Sequence, residues 1–279
     1  MDTQPLVSIC VPAYNSAEFI LKTIQSILNQ TYTNLEVVIT DDCSKDSTSQ
    51  IINSFEDDRI KYFQNTENLG VEKNWNKTLR LSQGKYCKVM GADDIMYPTF
   101  IEEQVKILED AQYANVVLVT SHKHVIDQND TLIITRKFPG KGRIEGIKAV
   151  KMSLVRGANV IGEPVAGLFR KDVLEKSGLY SGENLYMIDL DQWSRILKFG
   201  DLYVIDSVLY AFRISSTSIS SSLGFAQVGL FNAFVDKLYS DKTFRINRFE
   251  MIIAKSMALA MGFARNIVYL IYFRKSRVA

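Results

Sequence analysis

Cysteine and histidine are scarce in this sequence of 279 residues: Cys10, Cys43 and Cys87, with His122 and His124, are all it has. Three scattered thiols cannot build a disulfide framework, and these five residues assemble no zinc cluster at ordinary spacing. A reducing, cytoplasmic compartment is the expectation. Net charge is nearly absent too, at +2, which argues against a strongly basic nucleic-acid binder. Nothing at the N-terminus reads as a signal peptide, since Met-Asp-Thr-Gln-Pro precedes an apolar run only one strand long. Low-complexity tracts are absent, excluding disordered, collagen-like and coiled-coil classes.

What is present is 47% hydrophobic residues, enough for one large core, and an uneven charge. From residue 230 onward there are nine Lys/Arg against three acids, so this tail carries +6 and the preceding chain −4.

The hydrophobic pattern alternates between periods. Strands are expected at 6–12, 35–40, 60–64, 85–90 and 115–121, with helices at 17–29, 47–55, 71–82 and 97–110 between them. Such alternation gives βαβ units and a mostly parallel sheet, with ligands bound off the carboxyl ends of the strands. Three of those ends carry polar clusters: Tyr14-Asn15, Asp41-Asp42 and Asp93-Asp94. Further on, strands are expected at 131–137, 164–169, 202–205 and 208–213, and helices at 144–155, 189–199, 225–240 and 246–273. The run Ser215–Ser222 reads as a loop or hinge.

Val-Ser-Ile-Cys-Val-Pro-Ala-Tyr-Asn (7–15), Ile-Leu-Asn-Gln-Thr-Tyr (27–32), Glu-Val-Val-Ile-Thr-Asp-Asp-Cys-Ser-Lys-Asp-Ser-Thr (36–48), Asn-Leu-Gly (68–70), Gly-Lys-Tyr (84–86) and Gly-Ala-Asp-Asp-Ile-Met-Tyr-Pro (91–98) follow one another in order. The series resembles the family 2 glycosyltransferases over roughly the first 215 residues. The resemblance implies a GT-A fold, a Rossmann-like α/β architecture with a mostly parallel sheet and flanking helices. It also implies inverting transfer of one sugar from a nucleotide-diphosphate donor to an acceptor hydroxyl. The corresponding domains are 1–215, with a nucleotide-sugar half at 1–98 and an acceptor half at 99–215, and a helical region at 224–279.

The resemblance assigns roles residue by residue. Pro12, Ala13 and Tyr14 line the base pocket, and Asp42 accepts the imide N–H that uracil and thymine carry. The alternative is that Asp41 and Asp42 only cap the following helix. Asp94 binds Mg²⁺ or Mn²⁺, and Asp93 the metal shell or the ribose, because a diphosphate leaving group calls for a hard cation on oxygen ligands. Gly91 stands where many relatives have a further aspartate. Lys73 and Asn74 belong to the donor pocket, and Arg213 meets the diphosphate or is a solvated strand-end arginine.

Residues 183–195, Glu-Asn-Leu-Tyr-Met-Ile-Asp-Leu-Asp-Gln-Trp-Ser-Arg, resemble the family's acidic segment. By register Asp189 is the base that takes the acceptor proton, with Asp191 in reserve; Ile188 replaces the usual preceding acid. Asp189 with Gln192 also reads as a capping box. Glu163 and Trp193 fall on the acceptor side, although Trp193, like Trp75, equally reads as a core anchor. The two histidines are expected at the surface or edge to edge.

In the C-terminal helix, Lys255, Gly262, Arg265 and Asn266 share one side, and Ile252, Leu259, Phe263 and other large apolar residues the other. A basic amphipathic helix at 246–277 lying on a membrane is one expectation; packing on the domain or dimerisation is the other. The related bacterial enzymes imply a polyprenyl-diphosphate-linked saccharide acceptor and a peripheral place on the inner face of the cytoplasmic membrane. A UDP-sugar donor is favoured, dTDP-sugar being the near alternative. A sugar nucleotidyltransferase lacks its glycine-rich phosphate loop here. A catalytically inactive binding or scaffold subunit stays open because acids are missing at 91 and 188.

Overall fold

The computed structural model describes residues 4–214 and 224–275, with side chains to residue 264. The expected loop at Ser215–Ser222 lies outside the described residues.

The first strand, β1 (Val7–Ala13), is buried along its whole length. It lies between β2 (Leu35–Asp41) and β4 (Tyr86–Val89), and β3 (Ile60–Gln64) borders β2, all four parallel. Pro12 falls beyond the last β1–β4 pair, Cys10 with Val89, so its missing N–H interrupts no bond to β4. Helices α1 (Ile20–Leu28), α2 (Thr48–Asn53) and α3 (Val71–Leu81) make the crossovers. Side chains at i, i+3, i+4 and i+7 of α1 (Ile20, Thr23, Ile24, Ile27) are buried, giving it one packed face.

Beyond β4 the sheet changes character. Among the described residues its order is β3-β2-β1-β4-β9-β6-β10-β5, with β7 on β6 and β8 on β10. Here β6 is Val116–Ile126, β9 Leu168–Arg170, β10 Asp201–Arg213 and β5 Ile95–Met96. β6 and β10 run parallel, whereas β9 and β5 are antiparallel to their neighbours. The two strands off this path are β7 (Leu132–Arg136) and β8 (Gly142–Ile144).

Several boundaries differ from expectation. Residues 202–205 and 208–213 are one strand, because Asp206 and Ser207 form a bulge against β6 and do not end the pairing. Residues 164–166 are a 3-10 turn that Pro164 begins, leaving only Leu168–Arg170 as strand. The remaining helices are α4 (Phe100–Glu109), α5 (Gly146–Leu154), α6 (Lys171–Ser177), α7 (Ile188–Ile196), α8 (Ala226–Ser240) and α9 (Arg248–Lys275). Two clusters form the core on the two faces of the sheet: one under α1 and α4, the other joining α5, α6, α7 and α8.

Candidate active site

The carboxyl ends of β1, β2 and β4 come together on one rim of the sheet, where a parallel α/β sheet binds its ligands. Of the β1 trio, Pro12 and Ala13 are buried in the strand, and only Tyr14, half exposed, offers a face to a ligand. Asn15, in a left-handed conformation, ties the rims together. Its amide donates to Ser44 Oγ (2.9 Å), and its Oδ1 accepts from the Lys45 amide (2.8 Å).

Asp41 and Asp42 divide the work. Asp41 is saturated, accepting from the amide and hydroxyl of Ser44 on Oδ1 and from Tyr62 and Gln64 on Oδ2. It closes the turn to Ser44 and does not cap the following helix, which begins at Thr48 with no side-chain cap, so the capping alternative fails. Asp42 instead accepts from Asn65 Nδ2 (2.7 Å), the Leu69 amide (2.8 Å) and the Gly70 amide (2.9 Å). The Asn-Leu-Gly motif is therefore a clamp on this carboxylate, and Gly70 serves it at φ 80°, which a side chain adopts with strain. Sequence reasoning missed Asn65, whose Oδ1 accepts from Lys77 Nζ (2.6 Å). Asn74 is buried behind it, donating to the Thr40 carbonyl and accepting from Asn65. It supports the clamp without facing a pocket, and Lys73 is exposed on α3.

The Asp93-Asp94 turn is fastened from α1 by Thr23 Oγ1, which donates to the carbonyls of Ala92 (3.0 Å) and Asp94 (2.9 Å). A Cβ on Gly91 would lie 2.9 Å from Asp93 Oδ1 and 3.0 Å from Asp94 Oδ2. Both carboxylates thus converge on the space that Gly91 leaves, and a side chain there would displace them. Burial raises the carboxyl pKa of Asp93, and burial together with the Asp93 charge raises that of Asp94 well above the usual range. Two oxygens meeting in a poorly hydrated turn, each reluctant to carry its charge unaided, fit a hard divalent cation. Among the described residues no group of three or more His, Cys, Asp or Glu side chains makes a metal site, so the remaining ligands would come from the donor or water.

Arg213 corrects both expectations for it. It is neither solvated nor reaching toward a diphosphate, since its side chain is wholly enclosed. It donates to the Asp93 carbonyl (2.9 Å), the Asp127 carbonyl (2.7 Å) and Asp130 (2.6 Å), and lies over the Phe19 ring. Its amide donates to Asp94 Oδ1 (3.1 Å). It is a brace for the acidic turn.

Residues 120–210 carry a second group of charges. Glu163 is paired with Lys123 through both oxygens, and Tyr210 donates to it (3.4 Å). Its loop is pinned by side chains at four carbonyls: Thr120 holds Ile161, Trp193 holds Gly162, Lys88 holds Val165 and Gln104 holds Ala166. Gly162 has φ 122°, and a Cβ there would approach Ala166 Cβ to 2.5 Å. Trp193 is fully buried against Phe169, so it is the core anchor and has no face for an acceptor sugar.

Asp189 lies in the first turn of α7, one turn ahead of Trp193 on the same helix. The capping box is overturned: α7 has no side-chain cap, and Gln192 donates to the Gly178 carbonyl (3.0 Å) and accepts from Arg195. Asp191 is held by Arg195 (3.0 Å) and Lys237 (2.9 Å), which removes it as a reserve base. Asp189 makes no such pair among the described residues. Burial, then the nearby Glu163 charge, push its pKa to about 8, with Lys123 opposing. Lys123 is the residue that sequence reasoning missed; a lysine inside a strand carries no motif signal. His122 is buried, accepts from the Phe138 amide and meets Asp206 (3.1 Å), whereas His124 is half-buried and meets the Tyr97 hydroxyl (2.6 Å).

Residues 8–178 match the family described as Glycosyl transferase family 2. An uncharacterised glycosyltransferase of Rickettsia typhi is 28% identical over 221 residues, 78% of this chain and 67% of that one. Two longer rickettsial relatives are spanned to only 36% and 35% of their length. The Escherichia coli UDP-Glc:α-D-GlcNAc-diphosphoundecaprenol β-1,3-glucosyltransferase WfaP is 29% identical, over 78% of this chain and 80% of WfaP. Among solved structures, Staphylococcus aureus TarS in complex with UDP-GlcNAc superposes with a TM-score of 0.67 at 16% identity, covering 86% of this chain and 70% of TarS. Mannosyltransferase PcManGT of Pyrobaculum calidifontis, in complex with GDP-Man and Mn²⁺, gives 0.65 at 18% identity, covering 94% and 74%.

Proposed function

The chain belongs to glycosyltransferase family 2 and has the GT-A fold, and on that premise we propose that it is an inverting, metal-dependent transferase. It moves one sugar from a UDP-sugar to a saccharide hydroxyl on a lipid-diphosphate carrier. The observation that carries the reading is the pairing of two unlike acidic centres: Asp93-Asp94 converging on the gap at Gly91, and Asp189 on α7, without an ion-pair partner among the described residues. WfaP, whose acceptor is lipid-linked, supports the acceptor class, and the UDP-GlcNAc complex of TarS the donor class.

In this mechanism Tyr14 covers the base. Asp42, already oriented by three N–H donors, has a lone pair on Oδ2 left for the imide of uracil. Thymine offers the same imide, so a dTDP-sugar is the second donor to test. Asp93 and Asp94 would hold Mn²⁺ or Mg²⁺, which supplies charge neutralisation to the departing diphosphate. Asp189 takes the proton of the acceptor hydroxyl as that oxygen bonds to the anomeric carbon opposite the leaving group. The transition state is oxocarbenium-like, and the nucleoside diphosphate leaves with the bonding pair. A carboxyl with its pKa near 8 is a stronger base than a solvated aspartate, and it accepts a proton readily once deprotonated. An inactive scaffold gives no reason to keep such a group, because an unpaired buried acid costs stability.

The test is nucleotide release from UDP-, dTDP-, GDP- and CDP-sugars with and without Mn²⁺, for the unaltered chain and Asp94→Asn. Metal-dependent release of UDP, lost in Asp94→Asn, is the expected result. No release and no metal-dependent nucleotide binding would leave the scaffold reading in its place.

A further inference from the structure

Helix α9 is packed the wrong way round for a soluble surface helix. Its small residues Ala254, Ala258 and Gly262, spaced at i, i+4 and i+8, face the protein and are buried. The fit is close: a Cβ on Gly157 would lie 2.5 Å from the Ala258 amide, and one on Gly262 would lie 2.5 Å from Val228. Its large apolar residues point the other way. Phe249 is 72% exposed, Ile252 58%, Leu259 47% and Phe263 53%. Together with Phe225, which packs edge-on to Phe263 at 4.8 Å, they form one stripe about 21 Å long at 1.5 Å rise per residue. A single exposed leucine needs no explanation, but four large apolar side chains in one row, interrupted by the exposed Ser256, mark a contact surface.

Charge selects the occupant. The three acids near the stripe are each neutralised within the molecule: Asp236 by Lys255, Asp241 by Lys198 and Glu250 by Lys151. Glu250 is the sole acid in the helix sequence. Lys242, Arg245 and Arg248, at the N-terminal end of the stripe, are exposed and have no carboxylate partner among the described residues. Further along the sequence stand Arg274, Lys275 and Arg277. A second copy would bring cations against cations, whereas an anionic lipid surface supplies both the apolar phase and the counter-charge. No described helix is long and apolar enough to cross a membrane, so the geometry is one of lying on it.

We propose that the outward stripe of α9, Phe249, Ile252, Leu259 and Phe263 flanked by Lys242, Arg245 and Arg248, docks the protein onto an anionic lipid surface. This identifies the face that binds and separates it from the inward face that holds the helix to the domain. It depends on no step of sugar transfer.

The experiment is sedimentation of the whole chain with vesicles of phosphatidylcholine alone and of phosphatidylcholine with phosphatidylglycerol, at low and high salt. Binding to the anionic vesicles is expected, weakened at high salt and on zwitterionic vesicles. The triple variant Phe249→Ser, Ile252→Ser, Phe263→Ser should lose at least 10-fold in partitioning, while its thermal midpoint and UDP binding stay unchanged. Lys242→Gln with Arg248→Gln should weaken binding to anionic vesicles alone. Three results would overturn the proposal. They are an unaltered chain that does not sediment, a triple variant that sediments equally well, or a dimer by light scattering that the triple variant dissolves while vesicles are ignored. Because vesicle binding is read without transfer, its failure leaves the catalytic reading standing, and the reverse holds too.

Discussion

The acidic centres at Asp41-Asp42 and Asp93-Asp94 differ from the one at Asp189 in how their charge is met. Around Asp41 and Asp42 every carboxylate oxygen has a protein donor, and the donors are themselves held, as Asn65 is by Lys77. Asp189 has no ion-pair partner among the described residues; a second carboxylate, Glu163, that carboxylate's partner Lys123, and the hydroxyls of Tyr180 and Tyr210 act on it through space. The first arrangement fixes a shape before the ligand arrives; the second keeps a group poised to change charge. Preorganised hydrogen bonds suit recognition of a base, and an under-partnered acid suits proton transfer. The Asp93-Asp94 turn lies between these extremes: its backbone is braced by Thr23 and Arg213, Asp94 Oδ1 accepts from the Arg213 amide, and Asp93 Oδ1 and Asp94 Oδ2 face the gap at Gly91.

The largest expected effect separates binding from chemistry. Asp189→Asn should lower transfer about 10³-fold, within the span of general-base effects, while donor affinity by calorimetry stays within about 2-fold. Asp94→Asn should do the converse, weakening metal-supported donor binding by about 100-fold and removing the response to added Mn²⁺. Equal losses of binding in both variants would erase the distinction between the centres.

A smaller effect concerns stability. The folded pKa of Asp189 lies above its unfolded value near 4, so the folded chain holds a proton that the unfolded chain has released. Its contribution therefore falls as pH rises from about 4 to about 8 and is level above that. Asp189→Asn removes this penalty, and its urea midpoint relative to the unaltered chain should climb across that window. After a discount for partial exposure of the carboxylate, the gain at pH 8 is about 1–2 kcal/mol. In the unaltered enzyme kcat/KM should rise with pH toward a limb near 8.

Asp42→Asn should raise the donor KM about 10-fold, a loss of about 1.4 kcal/mol, and blunt the preference for uracil over cytosine donors. Smallest of all, Lys73→Ala should leave donor KM within about 2-fold, since the side chain is exposed and the support of Asp42 runs through Asn65, Asn74 and Lys77.

How far the sequence carried follows the same division. The Asp42 centre was legible because its motifs are local: Asp42 and Asn-Leu-Gly each sit at a strand end or helix start, and period and punctuation reveal those places. The partners that complete the clamp were not, because Asn65 reaches Asp42 across a strand crossover and belongs to no pattern. Arg213 misled for a related reason. An arginine at a strand end is ordinarily solvated, and only the fold brings the Asp127–Asp130 turn over it. The Asp189–Gln192 spacing matched a capping box, but the Gly178 carbonyl and Arg195 claim Gln192 first. Lys123 and Glu163 are 40 residues apart and meet only because β6 passes under the 159–166 loop. On α9 the wheel put Ile252, Leu259 and Phe263 on one face and Gly262 on the other, as the structure has them, while Arg265 and Asn266 lie outside the residues whose side chains are described. The closeness of Gly157 is what makes the small-residue side the inner one.

The most direct measurement of the central claim is a paired assay on Asp189→Asn, with UDP-sugar binding by calorimetry and transfer to a synthetic GlcNAc-diphospho-lipid followed by NMR of the anomeric proton. The account predicts donor binding like that of the unaltered chain, transfer lower by about 10³-fold, and an inverted anomer from the unaltered enzyme. Transfer by Asp189→Asn within 10-fold of the unaltered enzyme, or a retained anomer, would contradict it.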